Sequence, residues 1–235
     1  MQFRYNKVVK PSEFETLNHD LITCTQCLRL TAWREEMAMI KRRAYIDQDY
    51  WGKPVPGFGD PLAKVLIVGL APGAHGSNRT GRMFTGDASG DFLFPALYQA
   101  GFASQPGSLS REDGLSLTDV FISAVCRCAP PGNRPDCQEI ANCLPWLSKE
   151  IALLENLQGL VALGRIAYDG IRQLYHDQLD LPKNGFAHGS LHRMKIGKPW
   201  VLCSYHPSRQ NTQTGRLTVP MFDQVWDQVR ALINQ

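Results

Sequence analysis

The sequence contains no long hydrophobic run, and its first residues do not have the pattern of a signal peptide. None of its apolar stretches approaches the roughly 18 residues that a membrane-spanning helix needs. The segment 1–10 is polar and lacks the apolar core of a signal peptide. These absences argue against a membrane protein or a secreted one, and we expect a cytoplasmic protein without a membrane partner.

Two common nucleotide-binding motifs are absent as well. Neither Gly-x-x-x-x-Gly-Lys-Ser/Thr nor Gly-x-Gly-x-x-Gly occurs, so the glycine-rich segment 69–87 is not expected to be a phosphate-binding loop of either type. The net charge is only +3. That charge is compatible with a polyanionic partner but does not require one.

The chain does contain seven cysteines among its 235 residues. Because the cytoplasm is reducing, these cysteines are not expected to form disulfides. Cys24 and Cys27 form a Cys-x-x-Cys pair, and Cys128 and Cys143 follow much later in the chain. Four thiolates can hold a metal centre, which would tie the N-terminal segment to the rest of the protein. The spacing alone does not distinguish zinc from an iron–sulfur cluster.

Short apolar segments alternate with helical patterns along the chain. The predicted strands are residues 64–69, 119–125, 159–164 and 199–204, and the predicted helices are residues 31–50, 88–100, 138–155, 165–177 and 218–233. This alternation predicts a three-layer α/β/α fold with a central, mainly parallel four-stranded sheet. We expect one domain over residues 1–235, in which residues 1–60 form an extension anchored by the metal centre.

Three polar residues lie in loops that follow predicted strands. Asp87, Asn133 and His206 are each expected near the carboxyl end of the sheet, where ligands bind in such folds. Any one of them alone would more often be a helix cap, a turn residue or a structural histidine. Their joint placement predicts a functional site at this edge.

The loop after the first predicted strand resembles a known motif. The runs Gly69-Leu70-Ala71-Pro72-Gly73 and 78–87 are similar to the first motif of the type-B (family 5) uracil-DNA glycosylases. His206-Pro207-Ser208 resembles the second motif, although this short run is weak by itself. The cysteine arrangement resembles that of the iron–sulfur members of this superfamily. The resemblance extends from about Cys24 to Trp226.

The resemblance implies a base excision repair enzyme. Such an enzyme flips uracil, and other deaminated bases such as hypoxanthine and xanthine, out of DNA and hydrolyses the N-glycosidic bond. DNA is the implied partner, with no obligate protein partner, and the implied setting is a monomer at the nucleoid of a prokaryotic cytoplasm. Two alternatives stay open: a non-catalytic iron–sulfur DNA-binding module, and a zinc-stabilised nucleoside or nucleotide hydrolase.

The resemblance also implies roles for individual residues. Asp87 supports the sugar cation or activates water, His206 donates a hydrogen bond to a uracil oxygen, and Asn133 positions water or the base. Phe84 stacks on the base. The remaining implied base-binding residues are Gly69, Leu70, Ala71, Pro72 and Gly73.

Two positions in the first motif differ from other branches of the superfamily. Leu70 and Ala71 are apolar here, whereas other branches have a glutamate or an aspartate at one of these places. The difference matches type B and makes Asp87 the main acidic candidate. It also predicts a less polar base pocket and broader base specificity.

Basic and polar residues near the motifs are implied to contact DNA. Arg79, Arg82, Arg209 and Arg216 are expected to bind phosphates. The segment Ser208-Arg209-Gln210-Asn211 is expected to wedge into the gap that the flipped nucleotide leaves. In contrast, residues 41–43 are interpreted as an exposed basic helix end.

The resemblance implies a structural 4Fe–4S cluster, with zinc as the alternative metal. Its implied ligands are Cys24, Cys27, Cys128 and Cys143. Cys128 is preferred because it stands directly before Ala129-Pro130-Pro131, where the family has a ligand. Cys126 and Cys137 are close enough in sequence to replace it, so this choice stays open.

Overall fold

The computed structural model of the protein describes residues 11–175, 181–193 and 199–234. The helices in these ranges are α1 (Pro11–Ile22), α2 (Leu28–Ile40), α3 (Ser77–Thr80), α4 (Ala88–Gln99), α5 (Cys137–Leu153), α6 (Arg165–Leu174), α7 (Arg209–Gln213) and α8 (Val219–Ile233). The strands are β1 (Phe58–Gly59), β2 (Val65–Gly69), β3 (Val120–Ala124), β4 (Gly159–Leu163), β5 (Leu191–His192) and β6 (Trp200–Ser204). Short 3₁₀ turns occur at Arg43–Tyr45 and Pro131–Asn133.

The strands form one sheet in the order β1-β3-β2-β4-β6-β5. The four central strands are parallel to one another. In β2, Val65 and Ile67 pack into one apolar core, whereas Leu66 and Val68 pack into another on the opposite face. Because both faces are covered, the continuous apolar runs of these strands are fully buried. The predicted three-layer fold and its parallel centre are confirmed.

The edges of the sheet differ from the prediction. Two antiparallel strands of two residues each, β1 and β5, extend the expected four strands to six. A two-residue strand has no periodicity to detect, and β1 lies in a segment rich in proline and glycine. The prediction of a four-stranded sheet was therefore wrong at both edges.

The N-terminal helices also differ from the prediction. The helix predicted over residues 31–50 begins earlier and ends at Ile40, because Lys41 has a φ of 55° and stops it. Helix α1, which was not predicted, packs Phe14 against Phe121 of β3, with 5.1 Å between the ring centroids. Residues 1–10 of the predicted extension lie outside the described residues. Within the described ranges, no helix has the length and apolar character needed to cross a bilayer.

The carboxyl ends of the four parallel strands meet at one edge of the sheet. The loop between β2 and α4, the loop that follows β3 and the loop between β6 and α7 all start there. In open α/β sheets this edge is where ligands bind. It is the part of the fold that positions the candidate site.

Candidate active site

A cavity of about 590 Å³ lies at the carboxyl edge of the sheet. Its lining comes from the loop after β2, the start of α4, the turn after β3 and the loop after β6. Asp87, Asn133 and His206 all border it. The structure therefore brings together the three residues that the sequence placed at strand ends.

Asp87 is the N-cap of α4. Its Oδ1 accepts hydrogen bonds from the backbone N–H groups of Ser89 at 3.0 Å and Gly90 at 3.1 Å. Burial raises the pKa of Asp87 above its ordinary value, and these two backbone hydrogen bonds partly oppose that rise. The result is a fixed, partly desolvated carboxylate with Oδ2 left free of these cap bonds.

Two glycines of the loop after β2 make room for this carboxylate. A Cβ atom on Gly76 would lie 2.1 Å from Asp87 Oδ2, and a Cβ atom on Gly73 would lie 3.2 Å from the same atom. The resemblance implied that Gly73 contacts the base. The structure shows that Gly73 and Gly76 also allow the catalytic candidate to approach the loop.

Gly86, directly before Asp87, is held from both sides. Its N–H donates to the Ser108 carbonyl at 3.1 Å, and its own carbonyl accepts from Arg79 Nη2 at 2.9 Å. Gly86 has a φ of 72°, a conformation that glycine adopts without strain. These contacts fix the direction from which Asp87 enters the cavity.

His206 follows β6, and its ring stacks on Phe84 with 5.8 Å between the ring centroids. Its backbone carbonyl accepts from Asn211 Nδ2 and from the Ser208 N–H, each at 2.8 Å. Burial lowers the pKa of His206 to about 4, so the imidazole is neutral at pH 7. Within the described part of the chain neither ring nitrogen has a hydrogen-bond partner, which leaves both for a ligand.

Phe84 borders the cavity in a left-handed backbone conformation, with a φ of 52°. A Cβ atom on Gly69 would lie 2.8 Å from Phe84 Cζ, and one on Gly90 would lie 1.8 Å from the Phe84 carbonyl oxygen. Glycine at both positions is therefore required for this placement of the ring. The arrangement presents an aromatic ring beside the imidazole.

The other predicted base-binding residues lie mostly at the cavity. Gly69, Leu70, Ala71 and Gly73 border it, whereas Pro72 is buried and is not among the lining residues. Asn133 lies in the turn after β3 with a φ of 56° and is exposed. Within the described residues its side chain has no hydrogen-bond partner, so its amide is available to a ligand or to water.

The sequence did not indicate one part of the cavity wall, which Arg42 and Tyr45 form. Because α2 stops at Ile40, the chain turns and brings Arg42 and Tyr45 to the cavity. His75 also borders it, and its Nδ1 lies 3.1 Å from the Tyr50 hydroxyl. Residues 41–43 were interpreted as an exposed helix end. No periodic pattern in this segment indicates that it lines a site.

Two of the predicted DNA contacts are corrected by the structure. Arg79 is buried under the Tyr45 ring and donates to the carbonyl groups of His75 and Gly86. Arg82 is buried and forms a bidentate ion pair with Asp113, in which Nη1 donates to Oδ1 at 2.9 Å and Nη2 donates to Oδ2 at 2.6 Å. Because their guanidinium groups are used inside the protein, neither side chain is free to bind a phosphate.

The segment that follows His206 keeps two exposed side chains beside the cavity. Arg209 and Gln210 are exposed, and Arg209 borders the cavity. Ser208 caps α7 by accepting from the Asn211 N–H at 3.4 Å, and the Asn211 side chain holds the His206 carbonyl. Ser208 and Asn211 therefore shape the loop, while Arg209 and Gln210 remain free to contact DNA.

Four cysteines border a second cavity, between the N-terminal helices and α5. They are Cys24, Cys27, Cys128 and Cys143. Cys126 and Cys137, the alternatives to Cys128, are not among the lining residues; Cys126 is buried beside the Cys143 thiol and Cys137 is exposed.

Three N–H groups point at the sulfur atoms of this second cavity. Arg34 Nη1 donates to Cys128 Sγ at 2.9 Å, the Arg127 backbone to Cys143 Sγ at 3.2 Å, and Asn142 Nδ2 to Cys27 Sγ at 3.5 Å. Such bonds are typical of the surroundings of a thiolate centre. In the described residues, no three His, Cys, Asp or Glu side chains are placed to hold a single metal ion.

The fold and the first cavity define a class of protein. A parallel α/β sheet carries, at its carboxyl edge, a desolvated carboxylate, a neutral imidazole and an aromatic ring around one cavity. This set suits an enzyme that binds a flat polar ring and stabilises charge on either side of a bond to it.

Comparison with known proteins identifies the family. The family model of the uracil DNA glycosylase superfamily matches residues 56–230. A type-5 uracil-DNA glycosylase of Thermus thermophilus is 49% identical over 218 residues, covering 93% of this chain and 97% of that protein. Type-5 enzymes of Mycobacterium leprae (47% identical, covering 92% of this chain and 94% of that protein) and Pyrobaculum aerophilum (42%, covering 87% of each) are also similar. The chain belongs to the uracil-DNA glycosylase superfamily, and the resemblance to its type-B branch is confirmed.

Proposed function

We propose that this protein excises uracil from DNA by hydrolysing the N-glycosidic bond, as its type-5 relatives are named for doing. One observation carries the proposal: Asp87, Asn133, Phe84 and His206 border the same cavity at the carboxyl edge of the sheet. The cavity volume of about 590 Å³ lies in the range of small-molecule pockets. Its size suits a nucleotide flipped out of the duplex, which costs roughly a few kcal/mol of unstacking.

Asp87 acts on the sugar side of the bond. When the base departs, positive charge develops on the deoxyribose, and a carboxylate that is already in place stabilises it without reorganisation. The cap bonds to Oδ1 hold the carboxylate in one direction. The same carboxylate, with the free amide of Asn133, orients the water that attacks the sugar.

His206 acts on the base side of the bond. The departing uracil takes negative charge on its oxygen atoms, and a neutral imidazole supplies one N–H donor to them. Stacking on Phe84 and the anchored backbone carbonyl fix the direction of the ring. The N–H group is therefore preorganised for the leaving base.

The apolar floor of the cavity supports a broader range of bases. Leu70 and Ala71 border the cavity and carry no group that would reject a purine by charge or hydrogen bonding. We therefore include hypoxanthine and xanthine among the substrates. The basic side chains at the mouth, Arg42 and Arg209, are exposed and suit contacts with the DNA backbone.

We also propose a structural 4Fe–4S cluster at the second cavity, held by Cys24, Cys27, Cys128 and Cys143. Four thiolates occupy every protein-ligand position of such a cluster, so its role is to fix α2 and the loop after β3. A zinc ion would need four sulfur atoms about 2.3 Å from one point. The four cysteines border one cavity, and the resemblance of their arrangement to that of the iron–sulfur members of the superfamily is the reason for preferring the cluster to zinc.

A cleavage panel tests the proposed activity. Duplex and single-stranded oligonucleotides containing uracil, hypoxanthine, xanthine or thymine are incubated with the protein and then treated with alkali. We expect strand cleavage at uracil and at the two deaminated purines, and none at thymine. Binding without cleavage would indicate a non-catalytic DNA-binding module, and hydrolysis of free nucleosides alone would indicate a nucleoside hydrolase.

We expect the protein to act on DNA as a monomer, without an obligate protein partner, at the nucleoid of a prokaryotic cytoplasm. Sedimentation of the protein with and without a short uracil-containing duplex tests whether it binds DNA as a monomer. A mass above one protein chain per duplex would contradict this expectation.

A further inference from the structure

Two arginine side chains near the four cysteines are buried with nitrogen atoms that lack partners. Arg127 is 1% exposed and Arg34 is 3% exposed. Within the described residues, Nε and Nη1 of Arg127 and Nε of Arg34 have no hydrogen-bond acceptor. Burying an unpaired charged donor is costly, and such groups in folded proteins almost always have partners. These three nitrogen atoms therefore point to acceptors that the described protein chain does not supply.

Both arginines already contact the proposed cluster ligands. Nη1 of Arg34 donates to Cys128 Sγ at 2.9 Å and to the Cys24 carbonyl at 3.1 Å. The backbone N–H of Arg127 donates to Cys143 Sγ at 3.2 Å, and Arg127 borders the second cavity together with the four cysteines. The unpartnered nitrogen atoms thus belong to Arg34, whose side chain already donates to a sulfur atom, and to Arg127, whose backbone does so and which borders the cavity.

The carboxylates near Arg34 and Arg127 do not use all of the N–H donors of these two side chains. Nη2 of Arg127 donates to the buried Glu150, which also accepts from Ser123 Oγ and the Gly57 N–H. Nη2 of Arg34 lies 3.5 Å from the Glu35 carboxylate, which is 55% exposed. A guanidinium group has five N–H donors in a fixed plane, so each arginine keeps donors for a further acceptor. The sulfide and thiolate sulfur atoms of an iron–sulfur cluster are acceptors of this kind.

We propose that Arg34 and Arg127 donate N–H hydrogen bonds to the sulfur atoms of the cluster and thereby raise its reduction potential. The inference rests on the proposed 4Fe–4S cluster. Hydrogen bonds and nearby positive charge stabilise the more negative, reduced form of a cluster relative to the oxidised form. Both arginines are positioning and tuning residues and not ligands, since four cysteines complete the ligand set.

Substitution with methionine tests this role, because methionine fills similar space without charge or N–H donors. Arg34→Met, Arg127→Met and the two Arg→Lys variants are prepared anaerobically as full-length protein. Iron and sulfide content, midpoint potential by voltammetry and Fe–S stretching bands by resonance Raman spectroscopy are then compared. We expect a lower potential and higher Fe–S stretching frequencies in the Met variants, with partial recovery in the Lys variants. Arg230→Met is the control, since Arg230 bonds to Ala100 and Asp119 away from this cavity, and it should match the wild type.

A second measurement needs no substitution and covers the case in which a Met variant fails to fold. Wild-type protein is labelled with ¹⁵N in the arginine guanidinium groups, and its reduced cluster is examined by pulsed electron paramagnetic resonance. Coupling of the cluster spin to ¹⁵N supports the inference, and the absence of such coupling overturns it. Folded, iron-loaded Met variants with wild-type potential and Raman bands would also overturn it, while leaving the cluster proposal intact. Wild-type protein without iron and sulfide would overturn both.

Discussion

At the scale of single residues, two side chains of the site, those of Asp87 and Phe84, lie against glycines. The Asp87 carboxylate approaches Gly76, and the Phe84 ring lies over Gly69. The glycine-rich pattern of the loop after β2 therefore has a steric cause inside the protein, in addition to any approach of the base. This cause predicts which substitutions will disturb catalysis without contacting DNA.

Replacing Asp87 tests its electrostatic role. Asp87→Asn keeps an oxygen that caps α4 but removes the charge, and we expect single-turnover excision of uracil to slow by about 100-fold or more. Asp87→Ala should lose the same activity and, in addition, about 1 kcal/mol of stability, because the cap is lost. DNA affinity should change much less in both variants. A near-normal single-turnover rate would remove Asp87 from this role and make Asn133 the leading candidate for positioning water.

Gly76→Ala tests the steric cause. The added Cβ atom would lie 2.1 Å from Asp87 Oδ2, so the carboxylate must move, and a displacement of about 1 Å costs about 100-fold in rate. Gly107→Ala is the matched control, because a Cβ atom there meets nothing within 4 Å. Equal single-turnover rates for the two variants would show that Asp87 does not depend on Gly76.

Replacing His206 tests the stabilisation of the leaving base. His206→Ala should lower the excision rate on uracil, and the loss should be smaller on a uracil with an electron-withdrawing 5-substituent, because that base departs more easily. Single-turnover rates of the wild type and the variant on both substrates provide the comparison. An equal loss on both would mean that His206 only shapes the cavity.

The expected pH dependence of kcat/KM follows from the shifted pKa values of His206 and Asp87. Burial lowers the pKa of His206 to about 4, so its neutral form should persist well below pH 6.5. Burial raises the pKa of Asp87, so the acid limb of kcat/KM should reflect protonation of this carboxylate above its ordinary range. We expect no rise in kcat/KM as the pH falls through 6.5. Such a rise would indicate that a protonated His206 is the active form.

The same shift of His206 has a consequence for stability. Because the folded-state pKa lies below the unfolded-state value, the unfolded chain takes up the proton first as the pH falls. The stability contribution of neutral His206 is therefore complete above about pH 6.5 and is lost progressively towards pH 4. This loss should be absent from His206→Ala in urea unfolding across this pH range.

At the scale of elements, a distant loop holds the active-site loop in place. The Asp113 carboxylate forms a bidentate ion pair with the Arg82 guanidinium. It also accepts hydrogen bonds from the backbone N–H groups of Leu109, Ser110 and Leu115. Burial alone would raise the pKa of Asp113, but the Arg82 guanidinium and these N–H groups hold it well below its usual range. The loop thereby presents the Ser108 carbonyl to Gly86, next to Asp87.

Asp113→Asn tests the ion pair between Arg82 and Asp113 that joins the two loops. Removing one partner of a buried ion pair leaves the other charge unpaired, and we expect a loss on the order of 3 kcal/mol in the free energy of unfolding at pH 7. The contribution of Asp113 is present above its unfolded-state pKa and is lost as the pH falls below that value, so the difference from wild type should shrink near pH 3. Urea unfolding at both pH values provides the measurement. An equal difference in the free energy of unfolding between wild type and Asp113→Asn at pH 7 and at pH 3 would contradict the stabilising role of the Asp113 carboxylate.

The sequence predicted the long, buried elements and missed the contacts between distant segments. β2, β3, β4 and β6 were predictable because five consecutive buried residues leave a continuous apolar run. The partners of Arg79 and Arg82 were not predictable, since Gln48 and Asp113 lie far away along the chain. The end of α2 was missed because a left-handed lysine, and not a glycine or proline, stops it.

At the scale of the whole molecule, hydrogen bonds link α2 to two distant helices. Arg29 of α2 forms a bidentate ion pair with Glu139 of α5. The side chain of Asn78 in α3 donates a hydrogen bond to the Arg34 carbonyl at 3.1 Å. The second of these contacts connects the cysteine region to the active-site loop. The proposed cluster would add a third link, between residues far apart in sequence.

Loss of one cluster ligand should therefore affect folding more than chemistry. We expect Cys27→Ser to reduce the iron content and the yield of folded protein, because a ligand that joins distant segments is lost. The single-turnover rate per folded molecule should change far less. Iron analysis, thermal unfolding and rates normalised to folded protein check this, with Cys137→Ser, an exposed cysteine outside the cavity, as the control.

Release of free uracil from DNA tests the central claim most directly. Wild-type protein, Asp87→Asn and Gly107→Ala are each incubated under single-turnover conditions with a duplex that contains one uracil, and the released base is measured by mass spectrometry. We predict one free uracil per duplex and an intact abasic strand from the wild type and from Gly107→Ala, and a release slower by about 100-fold from Asp87→Asn. Folded wild-type protein that binds the duplex but releases no uracil would contradict the account.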